Sequence, residues 1–366
     1  MNQQTHQIEY NTFKISLTIL IAFGMIMLYS ASSRISFYKF DDSSAIFFDH
    51  LKRMFAAFII ALAAYRVDYR LIRKLNIFFF FSAIIIVAFP LLAAAIKNDP
   101  KPARWIHFGS FTFQTAEIAR FSLIIFISNY VAKQQTMIRD LKEGFIPVVS
   151  WLLLFIVLIA IAPDFSTAMI LYLIFMSVIY MGGGQLKHIL SLTGIIGFIG
   201  FIYVRFEPYR WKRILSFMDH DTNKEASYQV TQSLISLGNG HFFGRSLGGS
   251  YGKNMFLPEA HTDFIFSIIG EEWGFLGTSL IILIFLVFFY SLYRISNRVK
   301  DVFARLVIFS TAFSILLYAL VNAAVCVELF PVTGLPMPFV SYSGSQIIIN
   351  AALLGMVFNI IKQEKI

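Results

Sequence analysis

Residues 263–293 read DFIFSIIGEEWGFLGTSLIILIFLVFFYSLY. The run is apolar except for Asp263, Glu271 and Glu272 at one end, and an apolar run of about 18 or more residues reads as a membrane helix. It is longer than one crossing needs, so the helix is expected to tilt or to project beyond the lipid. Similar runs lie at 14–30, 46–65, 75–96, 114–132, 146–163, 165–182, 187–206, 303–327 and 344–362. The fold class expected is therefore all-α. It is a polytopic membrane protein with about ten transmembrane helices and one long extracytoplasmic loop, about 207–262, between helices seven and eight. No internal repeat, low-complexity segment or soluble second domain interrupts the chain, so 1–366 reads as one transmembrane domain.

Composition agrees. Hydrophobic residues make up 57% of the chain and charged residues 14%, against about 25% charged in average soluble domains. A water-soluble protein with so little charge could not cover its surface. The first apolar run, Ile15 to Tyr29 behind Lys14, reads as a retained anchor; the small residues Ser30, Ala31 and Ser32 leave a cleaved signal peptide as the alternative. The lone cysteine, Cys326, has no partner for an intrachain disulfide or a metal site and reads as a small buried hydrophobe.

Lysine and arginine in short loops set the orientation. Arg66, Arg70, Arg73 and Lys74, then Lys133, Arg139 and Lys142, then Lys187, then Arg294, Arg298, Lys300 and Arg305 all fall in even-numbered loops. That side, with both termini, is expected to be cytoplasmic. The net charge of +9 thus gives no reason to expect a nucleic-acid partner. The outer side holds Arg104, Arg210, Lys212, Arg213, Lys224, Arg245 and Lys253, which that rule does not explain. Within the long outer loop, 227–237 sets Val230, Leu234 and Leu237 at helical spacing with Gln229, Gln232 and Ser233 beside them. This predicts a short helix lying on the membrane surface, closed by Gly238-Asn239-Gly240. The helix would either roof a cavity above Asp263, with both glutamines turned toward it, or only tether the loop.

Charge inside lipid is costly, so it tends to face a cavity or a partner. Glu117 and Arg120, three apart on one helix face, read either as a self-neutralising pair or as part of a site with Arg104. Asp164 can cap the following helix, act in a site, or do both. Asp263 stands at the outer start of the eighth helix, as cap or as functional carboxylate. Glu271 and Glu272 lie about 12 Å deeper at 1.5 Å per residue, level with Arg120, which predicts an ion pair with it. Pro331 to Ser345 reads PVTGLPMPFVSYSGS, non-helical backbone that either lines a cavity or serves as a rigid connector. A carboxylate beside several arginines suits an anionic, lipid-linked substrate. Arginine grips phosphate through a fork of donors, and a carboxylate can take a proton from a hydroxyl nucleophile.

These motifs resemble the SEDS family (shape, elongation, division, sporulation), of the FtsW/RodA/SpoVE type, over essentially the whole chain. The strongest match is LPEAHTDFIFSIIGEE at 257–272. Supporting it are Arg104-Trp105, FQTAEIAR at 113–120, Pro163-Asp164, Tyr228-Gln229 with Gln232-Ser233, and GLPMPFVSYSGS at 334–345. PEAHTDFIF with LGGS shortly before it looks more like the division branch, FtsW. The chain departs from the family pattern at Thr115-Ala116, Arg120, Phe165-Ser166 and Ser343.

The resemblance implies a peptidoglycan glycosyltransferase in the bacterial cytoplasmic membrane. It would polymerise lipid II outside that membrane, release undecaprenyl pyrophosphate, and work with a class B penicillin-binding protein and other division or elongation proteins. Asp263 matches the family's essential aspartate, expected here as the catalytic base, and Arg104 a required arginine. The substrate-binding set expected is Arg104, Glu117, Arg120, Asp164, Arg210, Arg213, Gln229, Gln232, Ser341 and Ser345. The sequence requires no cofactor or metal ligand set, although a divalent cation could share the task of charge stabilisation. A lipid II flippase and a noncatalytic division scaffold are the rival readings.

Overall fold

The structure, a computed structural model, describes residues 3–97, 104–108, 111–162, 164–206, 211 and 224–364. The helices run α1 (Gln3–Phe40), α2 (Ala45–Arg66), α3 (Tyr69–Lys74), α4 (Asn76–Lys97), α5 (Thr115–Lys133), α6 (Ile146–Ile161), α7 (Phe165–Met181), α8 (Leu186–Phe206), α9 (Lys224–Asn239), α10 (Ile265–Ser296), α11 (Val302–Cys326) and α12 (Ser345–Gln363). Every run expected to cross the membrane lies on one of them. Among the described residues, eight helices are long and apolar enough to cross. The other two matching runs are α7, at 17 residues, and α2, which carries Asp49, Lys52 and Arg53 near its start.

The protein's outside is apolar where lipid would touch it. Phe78, Phe81, Ile85, Phe89 and Leu92 of α4 and Leu190, Ile195, Phe198 and Phe201 of α8 are all exposed. Inside, α12 packs along α2, and α10 along both α1 and α11. Small residues allow these close approaches, as expected where lipid offers no hydrophobic drive between helices. A side chain at Gly355 would strike the Ala61 carbonyl, and one at Gly24 the Phe339 carbonyl. The second contact places the 331–344 segment against the middle of α1. Met337 and Val340 are fully buried there, so this irregular backbone is enclosed by protein.

Three features depart from the sequence reading. First, α1 runs 38 residues, well past the expected end at residue 30. Ala31 and Ser32, read as part of a possible cleavage site, are buried inside the continuous helix.

Second, the long eighth run does not solve its excess length by tilt alone: it breaks at Gly274, at φ 68 and ψ −165. The part beyond the break, 275–296, rises about 33 Å at 1.5 Å per residue, enough for a hydrocarbon core of about 30 Å. The outer part, 265–273, becomes a separate segment. Backbone donors freed at the break are taken by the loop after α9: Phe275 N–H donates to the His241 carbonyl at 3.0 Å and Leu276 N–H to the Phe242 carbonyl at 3.2 Å.

Third, the all-α expectation gains a small hairpin. Strands β1 (Trp105–Phe108) and β2 (Phe111–Gln114) pair antiparallel, with Trp105 opposite Gln114 and Ile106 opposite Phe113.

Only glycine adopts the backbone conformation at position 274 at low cost; other residues pay about 1–3 kcal/mol there. A side chain would also meet the Phe242 carbonyl and the Gly244 amide. Gly274→Ala is therefore expected to lower the melting temperature of the detergent-purified protein and to expose the Phe275 and Leu276 amides to hydrogen exchange. A Gly197→Ala variant in α8, where an added side chain meets nothing within 4 Å, should show no such local exchange.

Candidate functional site

One face of α11 carries the site's framework. Ser314, Tyr318, Asn322 and Cys326 recur every four residues, and all four are buried. Each meets a different element. Ser314 accepts from Arg120 Nη1 at 3.3 Å, and the Tyr318 hydroxyl donates to Glu117 Oε1 at 3.3 Å. Asn322 Nδ2 donates twice, to the Asp263 carbonyl at 2.7 Å and to the Leu335 carbonyl at 2.8 Å. The Cys326 carbonyl accepts from Ser233 of α9 at 2.7 Å. α11 thus ties together α5, the turn bearing Asp263, the proline-rich loop and α9.

Glu117 and Arg120 pair with each other at 2.6 Å, their side chains 2% and 0% exposed. Arg120 Nη2 also donates to Asn350 Oδ1 of α12 at 2.7 Å, and its guanidinium stacks over the Tyr318 ring at 5.1 Å. The expected pair between Arg120 and Glu271 or Glu272 is not formed. Both carboxylates lie in the short segment ahead of the break at Gly274, where nearer donors from the 250–253 turn and from α1 meet them. Glu271 accepts from Ser250 Oγ at 2.5 Å and from the Tyr251 and Gly252 amides at 3.0 Å each. Glu272 pairs with Lys253 at 2.8 Å and accepts from Ser30 Oγ at 2.6 Å. Both hold the 250–253 turn against α10 and the extension of α1.

Asp263 lies one residue ahead of the α10 cap, Phe264, and is half-buried. Its backbone is held by Asn322, and its carboxylate faces Gly334: a side chain there would stand 3.5 Å from Oδ2. The two loops are stitched again nearby, where Tyr342 N–H donates to the His261 carbonyl at 2.9 Å. The Tyr342 hydroxyl donates to Asp49 at 2.6 Å, and Asp49 also meets Arg53 at 2.7 Å. Burial and the bond to Asp49 push the Tyr342 phenol up to about 12, so it remains a donor at neutral pH. Burial, helped by Lys39 and opposed by Glu259, lowers the pKa of His261 below its usual value and favours the neutral imidazole.

The remaining expected residues fall around this frame. Asp164 does cap α7, accepting from Thr167 N–H at 3.4 Å and Thr167 Oγ1 at 2.6 Å, and it also accepts from Gln114 Nε2 at 2.6 Å. Arg104 stands at the foot of the hairpin, its carbonyl accepting from Thr115 N–H at 3.3 Å; its Nε is buried with no hydrogen-bond partner among the described residues. Ser341 Oγ accepts from Met337 N–H at 2.9 Å inside the proline-rich loop, and Ser345 opens α12. Arg210, Arg213 and Pro163 lie outside the described residues.

The α9 helix forms where expected and ends at Asn239. The buried residues are Val230, Ser233 and Ser236, while Leu234 is exposed. Serines let α9 approach closely: Ser233 Oγ lies 2.5 Å from Ser267 Oγ, and Gly240 packs on the Gly270 carbonyl. Gln229 and Gln232 are half-buried.

Sequence reasoning missed Asn322, Tyr318, Asn350 and Gln114 because it followed charge. The available signal was four small or polar residues at a spacing of four in an apolar helix. Among the described residues, no group of three His, Cys, Asp or Glu side chains could hold a metal ion, and no catalytic step is assigned to one.

Fold and site define a multi-pass helical membrane protein with a buried polar spine and a carboxylate at one mouth of the bundle. The profile of the FtsW/RodA/SpoVE family, described as cell cycle protein, matches residues 10–366. The chain is 34% identical over 349 residues to a probable peptidoglycan glycosyltransferase FtsW of Geobacter sp. (strain M18), covering 93% of this chain and 94% of that protein. It is 33% identical over 355 residues to stage V sporulation protein E of Bacillus subtilis (strain 168), covering 95% of each. Among solved structures, a chain of a peptidoglycan synthase complex superposes with a TM-score of 0.78 at 18% identity, over 96% of this chain and 97% of that one. Thermus thermophilus RodA gives 0.69 at 19% identity, over 96% of each. The chain belongs to the FtsW/RodA/SpoVE family.

Breaking a buried ion pair on one side costs about 3–5 kcal/mol, whereas replacing both partners by apolar groups costs far less. Glu117→Leu and Arg120→Met are each expected to lower thermal stability strongly. Glu117→Leu with Arg120→Met should lose less than the sum of the two single losses. Additive losses in that cycle would mean that the two residues act independently.

Proposed function

We propose that this protein is a peptidoglycan glycosyltransferase that polymerises lipid II at the outer face of the bacterial cytoplasmic membrane, in septal wall synthesis during division. The observation that carries the reading is the Asp263 carboxylate, held at the mouth of the bundle where Asn322 joins its turn to the proline-rich loop. The family's curated FtsW members carry that activity in their names. In this reading ten helices cross the membrane, both termini are cytoplasmic, and the loops bearing Asp263 and Arg104 face outward. The lysine and arginine bias of the even-numbered loops supports that orientation.

Asp263 takes the proton from the acceptor's sugar hydroxyl as that oxygen attacks the donor's anomeric carbon. The bond from that carbon to the pyrophosphate oxygen breaks with inversion, and undecaprenyl pyrophosphate leaves with the bonding pair. Positive charge placed beforehand stabilises the charge that grows on the leaving group. Arg104, whose Nε is buried without a described partner, and the Arg210–Arg213 stretch supply it. Glu117 and Arg120, closed to solvent, and Asp164 at the cap of α7 hold the helices that support the site. Gln229 and Gln232 of α9 and the Ser341 and Ser345 segment border the substrate. The partner is a class B penicillin-binding protein that crosslinks the new strand. The solved complex that superposes on this chain is described as coordinating polymerization and crosslinking.

The test is purified protein with its transpeptidase partner and labelled lipid II. Asp263→Ala and Asp263→Asn are expected to abolish polymer while leaving membrane insertion and partner binding intact. Normal polymer from either variant would remove Asp263 as the base. Arg104→Ala should lower turnover at least about tenfold, and Arg104→Lys should recover only part of it, because a phosphate grip uses the guanidinium fork. Wild-type protein that makes no polymer but moves lipid II across proteoliposomes would favour the flippase reading.

A further inference from the structure

At the opposite end of the bundle from Asp263, two arginines face one cleft without carboxylate partners. Arg305 sits in the first turn of α11, where the helix dipole is positive and a cation is disfavoured. Asp301 caps that helix through the Phe303 amide at 3.0 Å, but its charge is shared with Arg73 at 3.3 Å. Three other arginines on this side have carboxylates: Arg70 has Glu364 at 3.7 Å, and Arg294 and Arg298 have Glu9 at 3.1 and 2.6 Å. Among the described residues neither Arg305 nor Arg139 has an ion-pair partner, and Arg305 Nε is buried with no hydrogen bond. The acid next to Arg139, Asp140, is occupied by the Lys142 and Glu143 amides at 2.8 and 2.9 Å.

The cleft holds about 510 Å³ and is lined by Gln135, Thr136, Arg139, Gly182, Gly183 and Arg305. Its walls are set in advance. The Met137 and Ile138 amides both donate to the Gln134 carbonyl, at 3.0 and 2.9 Å, and Ile138 is fully buried. Gly182 packs on the Val131 side chain, and Gly144 on the Met137 carbonyl. Two guanidinium forks, a hydroxyl, an amide and glycine backbone therefore converge on a space that lacks negative charge. Beside it Met137, Leu141 and Tyr180 are exposed apolar surface, along which an acyl chain can lie.

We propose that this cleft binds the phosphate of an anionic phospholipid headgroup. Arginine pairs fit phosphate oxygens bidentately, and basic pockets between transmembrane helices on the cytoplasmic side suit such headgroups. Assignment to the cytoplasmic leaflet rests on the orientation proposed above; the headgroup chemistry does not. The site lies apart from the Asp263 mouth, so its failure and the failure of the glycosyltransferase reading are separately visible.

The experiment is native mass spectrometry of the full chain released from nanodiscs, with phosphatidylglycerol titrated against phosphatidylcholine. Wild type should retain phosphatidylglycerol preferentially. Arg139→Gln with Arg305→Gln should weaken that retention about tenfold. Lys133→Gln with Lys187→Gln, which removes equal charge from the same side outside the cleft, should change it less than about twofold. Arg139→Lys with Arg305→Lys keeps the charge without the forks and should fall between wild type and the glutamine pair. This keeps the test decisive if the glutamine pair folds poorly. Equal loss in the arginine and lysine pairs, or no preference for phosphatidylglycerol in wild type, would overturn the proposal. Displacement of the lipid by millimolar inorganic phosphate would reassign the cleft to free phosphate and overturn the lipid assignment.

Discussion

Asn322 commits both protons of its side-chain amide to two backbone carbonyls, those of Asp263 and Leu335. Those two bonds are the constraint on which the Asp263 mouth depends. Neither carbonyl belongs to a regular helix, and a buried carbonyl without a donor costs about 1–3 kcal/mol. With both satisfied by one side chain, the turn carrying Asp263 and the proline-rich loop are fixed to each other and to α11. The carboxylate then stands against Gly334, where a larger residue would crowd it. Tyr342 repeats the stitching between the same two loops and extends it to Asp49 at the outer start of α2.

Below Asn322, the same face of α11 meets the buried pair of Glu117 and Arg120 through Tyr318 and Ser314. The pair is weak evidence for net stability, since desolvating two charges offsets much of their attraction. Its contribution is geometric. Arg120 reaches Glu117 on its own helix, Ser314 on α11 and Asn350 on α12, so a shift of any of these helices leaves a charge poorly matched in a medium where mismatch is costly. Above Asn322, Cys326 and Ser267 receive Ser233 of α9. One helix face therefore sets the relative positions of α5, the Asp263 turn, the proline-rich loop and α9.

The helical membrane architecture was legible because the bilayer imposes a length and an apolarity that sequence displays directly. The capping role of Asp164 was legible for a local reason, an aspartate directly ahead of an apolar run. The break at Gly274 was not, because a glycine within an apolar run looks the same whether the helix continues or not. What breaks it is a distant loop supplying carbonyls to Phe275 and Leu276. The partners of Glu271 and Glu272 were not legible either, because a turn at 250–253 and Ser30 of α1 reach them before Arg120 can. The seat of α9 was legible only in part: apolar spacing gave a face for lipid or for the bundle, but the close packing comes from serines bonded to Ser267 and Cys326. Neutral polar residues such as Asn322 carry no charge to draw attention, and their partners are backbone atoms far away in the chain.

The central claim is that Asn322 positions the carboxylate at the mouth. The most direct measurement is lipid II turnover by purified Asn322→Leu protein with its transpeptidase partner, with kcat and KM separated and partner binding and melting temperature measured alongside. Leucine keeps the side-chain volume and removes both donors. A displacement of the reacting group by about 1 Å can cost on the order of a hundredfold in rate. The account predicts a kcat lower by about ten- to a hundredfold, with KM changed little and the partner still bound. A folded, partner-bound Asn322→Leu protein with wild-type kcat would contradict it.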